Sequence, residues 1–226
     1  MTEDANEICD RLLRASLPHI PFDGWSMTAL RTAARDLEMD GGIVAEIFPG
    51  GARDAINAFS RGVDRRMVET VSGADLEALR IHERVALAAE ARFEILQPHR
   101  EAVRRGLSFL ALPQNALLGT RLIYKTVDDI WHAVGDRSPD FSFYTKRGLL
   151  AGVVASTTLF WLDDNSDDRM ETSAFLQRRL ADVMKIQKAR NRVEKASDRE
   201  ISRFRIVRDV VQKRYGRPVT GDSRFT

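Results

Sequence analysis

The chain has 226 residues, 43% of them hydrophobic and 30% charged, with a formal net charge of +2. That length suits one domain or two small ones, with enough apolar side chains for a substantial core. The single cysteine, Cys9, excludes an internal disulfide and any cysteine-based zinc site, and no apolar run reaches the roughly 18–20 residues of a membrane span.

The expected elements are helical from end to end. Residues 3–17 start from an acidic segment, MTEDANEICD, unlike the basic start of a signal peptide or presequence. Ile8, Leu12 and Leu13 share one side of this helix, and Pro18 and Pro21 end it. Ser26 or Thr28 caps a second helix over Ala29–Leu37. Gly41-Gly42 turns into a short third helix, Ile43–Phe48, stopped by Pro49-Gly50-Gly51. A fourth helix covers about 52–71 and a fifth Ala74–Gln97, interrupted by Pro98. A sixth spans about His99–Leu112. A seventh starts at Pro113, a good first-turn residue, and ends near Gly135. The eighth, from Pro139 to about Leu162, is apolar almost all round and should be buried on most sides. Its Gly148, Gly152 and Ser156 fall on one stripe, where an internal helix or the same helix of a second subunit could approach closely. The polar turn 163–168 leads into a ninth helix over about 168–190, and a tenth covers about Ser197–Tyr215.

Charge is unevenly distributed. Residues 185–217 carry 12 Lys/Arg against 4 Asp/Glu, whereas residues 1–184 carry 22 against 28. The cationic segment is also amphipathic. Ile201, Phe204, Val207 and Val211 form an apolar stripe, with Arg205 and Arg208 among the basic residues beside it. A basic amphipathic helix of this kind is suited to lying on an anionic membrane surface.

Catalytic motifs are missing: there is no Gly-rich phosphate loop, no nucleophile elbow and no cysteine with a placed histidine. Asp129 and His132 share a helix face, but two-metal bundles need a second such pair and partner glutamates. Asp163, Asn165 and Asp167 fit the first spacings of a calcium loop, yet Asp168 stands at the required Gly and Ala174 at the terminal Glu. The expectation is no metal, no cofactor and no enzyme activity, with the acidic turn capping the ninth helix.

Gly24-Trp25-Ser26, the Ala-rich helix, Gly41-Gly42 and Phe48-Pro49-Gly50-Gly51 follow the cadence of a TetR-type helix-turn-helix. A transcription regulator responding to a hydrophobic ligand is therefore one reading. Charge opposes it: residues 1–50 hold 4 arginines and 9 acids, and the recognition-helix position carries Glu46 and no base. Affinity for DNA comes largely from neutralising phosphates, so no nucleic-acid partner is expected.

The most informative stretch is 126–147, TVDDIWHAVGDRSPDFSFYTKR, whose aromatics crowd a turn, as interface anchors do. Leu110-Ala111-Leu112-Pro113-Gln114-Asn115, Val127-Asp128-Asp129-Ile130-Trp131-His132, Gly135-Asp136 and then 140–147 occur in order, with Thr157-Thr158 and Phe175-Leu176 at matching spacing. Over roughly residues 24–190 the chain resembles the ubiquinone-biosynthesis accessory proteins of the ninth Coq type. That resemblance implies an all-α, TetR-like fold of about ten helices and a homodimer. Three parts are expected: a degenerate helix-turn-helix domain over 1–72, a helical lipid-binding and dimerisation domain over 73–192, and a basic amphipathic helix and tail over 193–226. It implies an isoprenoid quinone precursor or other lipid as ligand, with Leu110, Leu117, Leu118, Ile123, Trp131, Leu149, Val153 and Phe160 as expected lining. It also implies a partner, the di-iron hydroxylase acting on demethoxyubiquinone, met by Asp140, Phe141, Phe143 and Tyr144; Phe143 stands where the family has Trp. The expected place of action is cytoplasmic, peripheral on the inner face of a bacterial membrane, with Ile201, Phe204, Arg205, Val207, Arg208 and Val211 as contacts.

Overall fold

The computed structural model describes residues 2–135 and 142–185, with side chains from Ala5 and, in the helix beginning at Ser142, from Thr145. The chain divides into two units, Met1–Leu180 and Ala181–Thr226. In the second, residues 181–185 are described and are helical. No strand occurs among the described residues.

In the first unit, α1 (Thr2–Ser16) buries Leu12 and Leu13 and closes with Ser16 Oγ donating to Leu13 O at 2.8 Å. The proline signals that end it do more than stop a helix. Pro21 sits in the first turn of a short α2 (Ile20–Asp23), an element the sequence reading passes over. Ser26 Oγ accepts from Ala29 N at 3.2 Å and caps α3 (Met27–Asp36). Asp40 Oδ1 accepts from Gly42 N at 2.6 Å in the turn before α4 (Ile43–Ile47). Gly51 holds the next turn at φ +62°, where a side chain would be strained and its Cβ would lie 3.2 Å from Met27 Sδ. From there runs α5 (Ala52–Ser72).

The fifth expected helix starts seven residues late. Asp75 Oδ1 takes Glu77 N at 3.2 Å, which favours a turn over 74–80, and the helix α6 (Ile81–Leu96) begins where Arg80 N donates to Glu83 Oε2 at 2.7 Å. A single 3₁₀ turn, Gln97–His99, carries Pro98 and joins α6 to α7 (Arg100–Leu110). A second, Pro113–Asn115, precedes α8 (Ala116–Ala133). Then come α9 (Ser142–Asp163), a third 3₁₀ turn at Asp167–Arg169, and α10, helical over 170–180 in this unit.

One apolar cluster joins α1, α3 and α4 through Leu12, Leu30, Val44 and Phe48, and reaches Trp25, Ala102 of α7 and Leu122 of α8. Another forms where α5, α6 and α9 meet, from Val63, Phe93, Leu96, Trp161 and Leu162. The end of α9 is held by polar contacts. Trp161 Nε1 donates to Gln97 Oε1 at 2.9 Å, Arg100 donates to the carbonyls of Trp161 and Asp164, and Arg104 Nη2 donates to Leu162 O at 2.6 Å. These arginines satisfy carbonyls that a helix end leaves open.

The acidic turn caps α10 through Asp164. Its carboxylate accepts from Ser166 N and Oγ at 2.8 and 2.6 Å and from Thr172 N and Oγ1 at 2.8 and 2.5 Å. Burial works to raise this carboxyl; the four hydrogen bonds outweigh it and hold the group well below the usual carboxylate range.

Near-uniform apolarity does not bury α9 on all sides. Leu150, Val154, Thr157 and Trp161 face inward, while Gly148, Gly152, Ala155 and Leu159 are exposed, Leu159 by 61%. Among the described residues nothing stands within 4 Å of where a Cβ at Gly148 or Gly152 would be. Among the described residues the small-residue stripe therefore faces outward and meets no closely packed helix.

Candidate functional site

Five helices contribute one face each to a cavity of about 660 Å³. From α7 come Val103, Gly106, Leu107 and Leu110; from α8, Gly119, Leu122, Ile123 and Thr126; from α9, Val154, Ala155, Thr158 and Leu159. The three- and four-residue steps put each set on a single helix face. Ile56, Phe59 and Ser60 of α5, Arg92 and Leu96 of α6, and Trp25 complete the wall. Trp25 Nε1 donates to Ala102 O at 2.9 Å, so its polar atom is satisfied within the protein. Gly106 allows this approach, since a Cβ there would stand 3.3 Å from Trp25 Nε1. Exposed Ser108, Ala111, Thr120, Ala155 and Leu159 mark the mouth. Such a volume with a largely apolar wall is typical of small-molecule sites.

The charged cluster lies away from the mouth. Asp64, 1% exposed, receives Arg92 Nε at 3.0 Å, Thr126 Oγ1 at 3.1 and 3.0 Å to its two oxygens, and Arg61 Nη1 at 3.6 Å. Arg61 also pairs with Asp129, which Lys125 approaches at 3.3 Å. Asp129 is thus committed to cations and His132 is exposed on the outside, so the pair weighed as metal ligands is not assembled into a site.

Of the residues expected to line a lipid site, Leu110 and Ile123 do line this cavity. The other six lie elsewhere. Leu117 is 62% exposed, Leu118 packs against the N-terminal core, Val153 is buried, and Leu149 is half-buried outside the cavity wall. Phe160 stacks on Phe175 at 4.5 Å between ring centroids. Trp131 is buried with Lys146 Nζ 5.8 Å from its ring centroid. Their scatter has a physical cause: hydrophobicity marks residues suited to burial, but neither guarantees burial, as Leu117 shows, nor tells which buried face fronts a void. Ser60, Arg92 and Thr126 were missed because their alignment depends on three helices meeting. The intersection of stripes on α7, α8 and α9 was the available signal.

The expected partner residues Asp140 and Phe141 lie outside the described residues, as do the side chains of Phe143 and Tyr144. So do Ile201, Phe204, Arg205, Val207, Arg208 and Val211. No helix among the described residues is long and apolar enough to cross a membrane, and no cluster of potential metal ligands is found among them.

A second, more charged cleft of about 740 Å³ lies behind Phe59 and Ala102, lined by Arg14, Arg65, Arg66 and His99 with Asp10 and Glu101. Burial first, and Arg66 second, push the His99 imidazole below its ordinary value. Arg65 is paired with Asp10 at 3.2 Å.

Comparison with known proteins follows the same helices. The COQ9 family model matches residues 116–187, the span that begins with α8. The mitochondrial ubiquinone biosynthesis protein COQ9 of Rattus norvegicus is 32% identical over 189 residues, 80% of this chain and 60% of the rat protein. The Homo sapiens protein of the same name is 31% identical over 80% of this chain and 59% of its own length. The chain thus spans about 60% of the length of these curated relatives. The crystal structure of a TetR transcriptional regulator from Nitrosomonas europaea superposes with a TM-score of 0.64 at 18% identity, covering 79% of this chain and 98% of the regulator. The fold is TetR-like and all-α, and the sequence likeness is to the COQ9 family, whose model matches residues 116–187 and whose curated members align with 80% of the chain.

Proposed function

We propose that this protein is a non-catalytic, lipid-binding accessory protein of ubiquinone biosynthesis, which presents a polyprenyl quinone precursor to a hydroxylase. The observation that carries the reading is the largely apolar cavity of about 660 Å³ between α7, α8 and α9. The relatives' names supply the pathway. Burying a prenyl tail from water gains roughly 0.8 kcal/mol per CH₂, but the tail resides in a bilayer, which is equally apolar. Extraction gains almost nothing, so the protein works docked on the membrane and shares the lipid with it. The basic stripe at Ile201, Phe204, Arg205, Val207, Arg208 and Val211 is the proposed contact. Asp140, Phe141, Phe143 and Tyr144 are the proposed hydroxylase surface, and a homodimer is proposed from the family resemblance.

Organic extraction of the purified full chain followed by lipid mass spectrometry tests this. An isoprenoid quinone or its precursor should co-purify; a protein free of any isoprenoid overturns the reading. The likeness to a TetR regulator favours a second reading, a ligand-responsive DNA-binding protein. The acidic first 50 residues and exposed Glu46 on α4 oppose it, and a salt-sensitive, sequence-selective gel shift would revive it.

A further inference from the structure

The cavity is asymmetric, and its asymmetry says which end of a ligand enters first. Arg92 spends Nε on Asp64; among the described residues its two Nη groups make no hydrogen bond. Ser60, 9% exposed and one helical turn before Asp64, likewise has an Oγ without a hydrogen bond among the described residues. Both side chains line the cavity. Thr126 gives its hydroxyl hydrogen to Asp64 and keeps only lone pairs for anything else. The inner end therefore offers donors from Arg92 and Ser60 and an acceptor from Thr126, whereas the mouth offers Ala111, Ala155 and Leu159, and its two hydroxyls, Ser108 and Thr120, already donate to carbonyls of their own helices.

We propose that the inner end holds the oxygen-bearing ring of a prenylated quinone or phenol, at Arg92 Nη and Ser60 Oγ, while the prenyl chain leaves past Ala155 and Leu159. In this carrier state the head enters and the tail trails toward the exposed face of α9, and presentation to the hydroxylase is the later release of the ring through the same mouth. This deepens the lipid-binding reading and rests on it. Charge selects the head. Arg92 is the one charged residue among those lining the cavity, and its charge is already paired with buried Asp64, while Arg61 and the half-exposed Lys125 are engaged by Asp64 and Asp129 outside the lining, so the inner end offers no unpaired cation for a phosphate. A neutral carbonyl or phenol needs none. Trp25 and Phe59, with ring centroids 5.4 Å apart and planes tilted by 51°, add aromatic faces against which a ring can pack. Head-in binding also fits a protein that works on a bilayer, because the tail need not leave the lipid completely.

Titration calorimetry on the purified full chain tests it, with three probes: a benzoquinone carrying one isoprene unit, the same prenylated ring without oxygens, and dodecyl phosphate. The quinone should bind more tightly than the oxygen-free ring. Ser60→Ala should weaken quinone binding about 3- to 10-fold, the range for one lost hydrogen bond, and leave the oxygen-free ring unchanged. Arg92→Lys should weaken it more than about 10-fold, because the charged fork is lost; should that variant misfold, Ser60→Ala alone carries the test. Equal binding of quinone and oxygen-free ring, unaltered by either substitution, overturns the head-in orientation and leaves lipid binding standing. Tighter binding of dodecyl phosphate with the same sensitivity overturns the choice of a ring head. Failure of the unmodified chain to bind any probe overturns both the orientation and the lipid-binding reading.

Discussion

Two buried aspartates in this protein are satisfied by opposite means. Asp64, at the inner end of the cavity, is held by Arg92, Arg61 and the Thr126 hydroxyl, brought from α5, α6 and α8. Asp164, 4% exposed, is held by Ser166 and Thr172, close to it in sequence, through neutral N–H and O–H donors. The long-range cluster leaves donors over, on Arg92 and Ser60, and they border a void. The local cluster forms a cap: its four donors satisfy the carboxylate and start α10. A carboxylate balanced by arginines can thus serve a ligand through the unused ends of those arginines, whereas one balanced by backbone and hydroxyl donors is confined to shaping the chain.

The sharpest way to break this comparison is Asp64→Ala. It strands a mostly buried Arg92, 12% exposed, beside a gap, and should cost about 3–5 kcal/mol of folding stability, the range for removing one partner of a buried pair. Urea unfolding measures it; a loss below about 1 kcal/mol would mean the cluster is solvated and not structural. Asp164→Asn should cost less, about 2 kcal/mol, at the upper end for a lost helix cap. Here pH adds a second measurement. The folded carboxyl lies below its unfolded value of about 3.9, so its stabilisation is complete above that pH and is lost as pH falls below it. The stability gap between the wild type and Asp164→Asn should be flat above about pH 5 and shrink below about pH 4. Thr126→Val removes one hydroxyl from Asp64 while both arginines remain, so about 1 kcal/mol is expected.

The local cluster was legible in the sequence and the long-range one was not. The acidic turn at 163–168 stood directly before a helical pattern, and its capping role needed only neighbours a few residues away. Ser26 was legible for the same reason. Helix α2 was hidden because Pro18 and Pro21 read as stops, although Pro21 also fits a first turn. The late start of α6 depended on Asp75 and Glu83 choosing backbone partners that periodicity does not report. Leu110 and Ile123 reached the cavity by lying on stripes of α7 and α8, whereas Phe160 found an aromatic partner in Phe175 instead. Whether an apolar stripe meets a neighbour or a void depends on helix packing, and no window of sequence contains that.

The smallest expected change in stability comes with a large expected change in binding. Ala155 is exposed at the mouth of the cavity on α9, away from both aspartates. Ala155→Phe adds a ring where the chain has open space, so stability should move by no more than about 0.5 kcal/mol, as for other surface substitutions. If the cavity is the ligand site, the same ring narrows its entrance, and retention of co-purified isoprenoid should fall several-fold while the unfolding midpoint stays put. A variant that keeps its lipid would move the site to another face of the molecule. The arginine-balanced cluster would then be a packing device like the cap at Asp164, and the difference between the two aspartates would be one of distance along the chain alone.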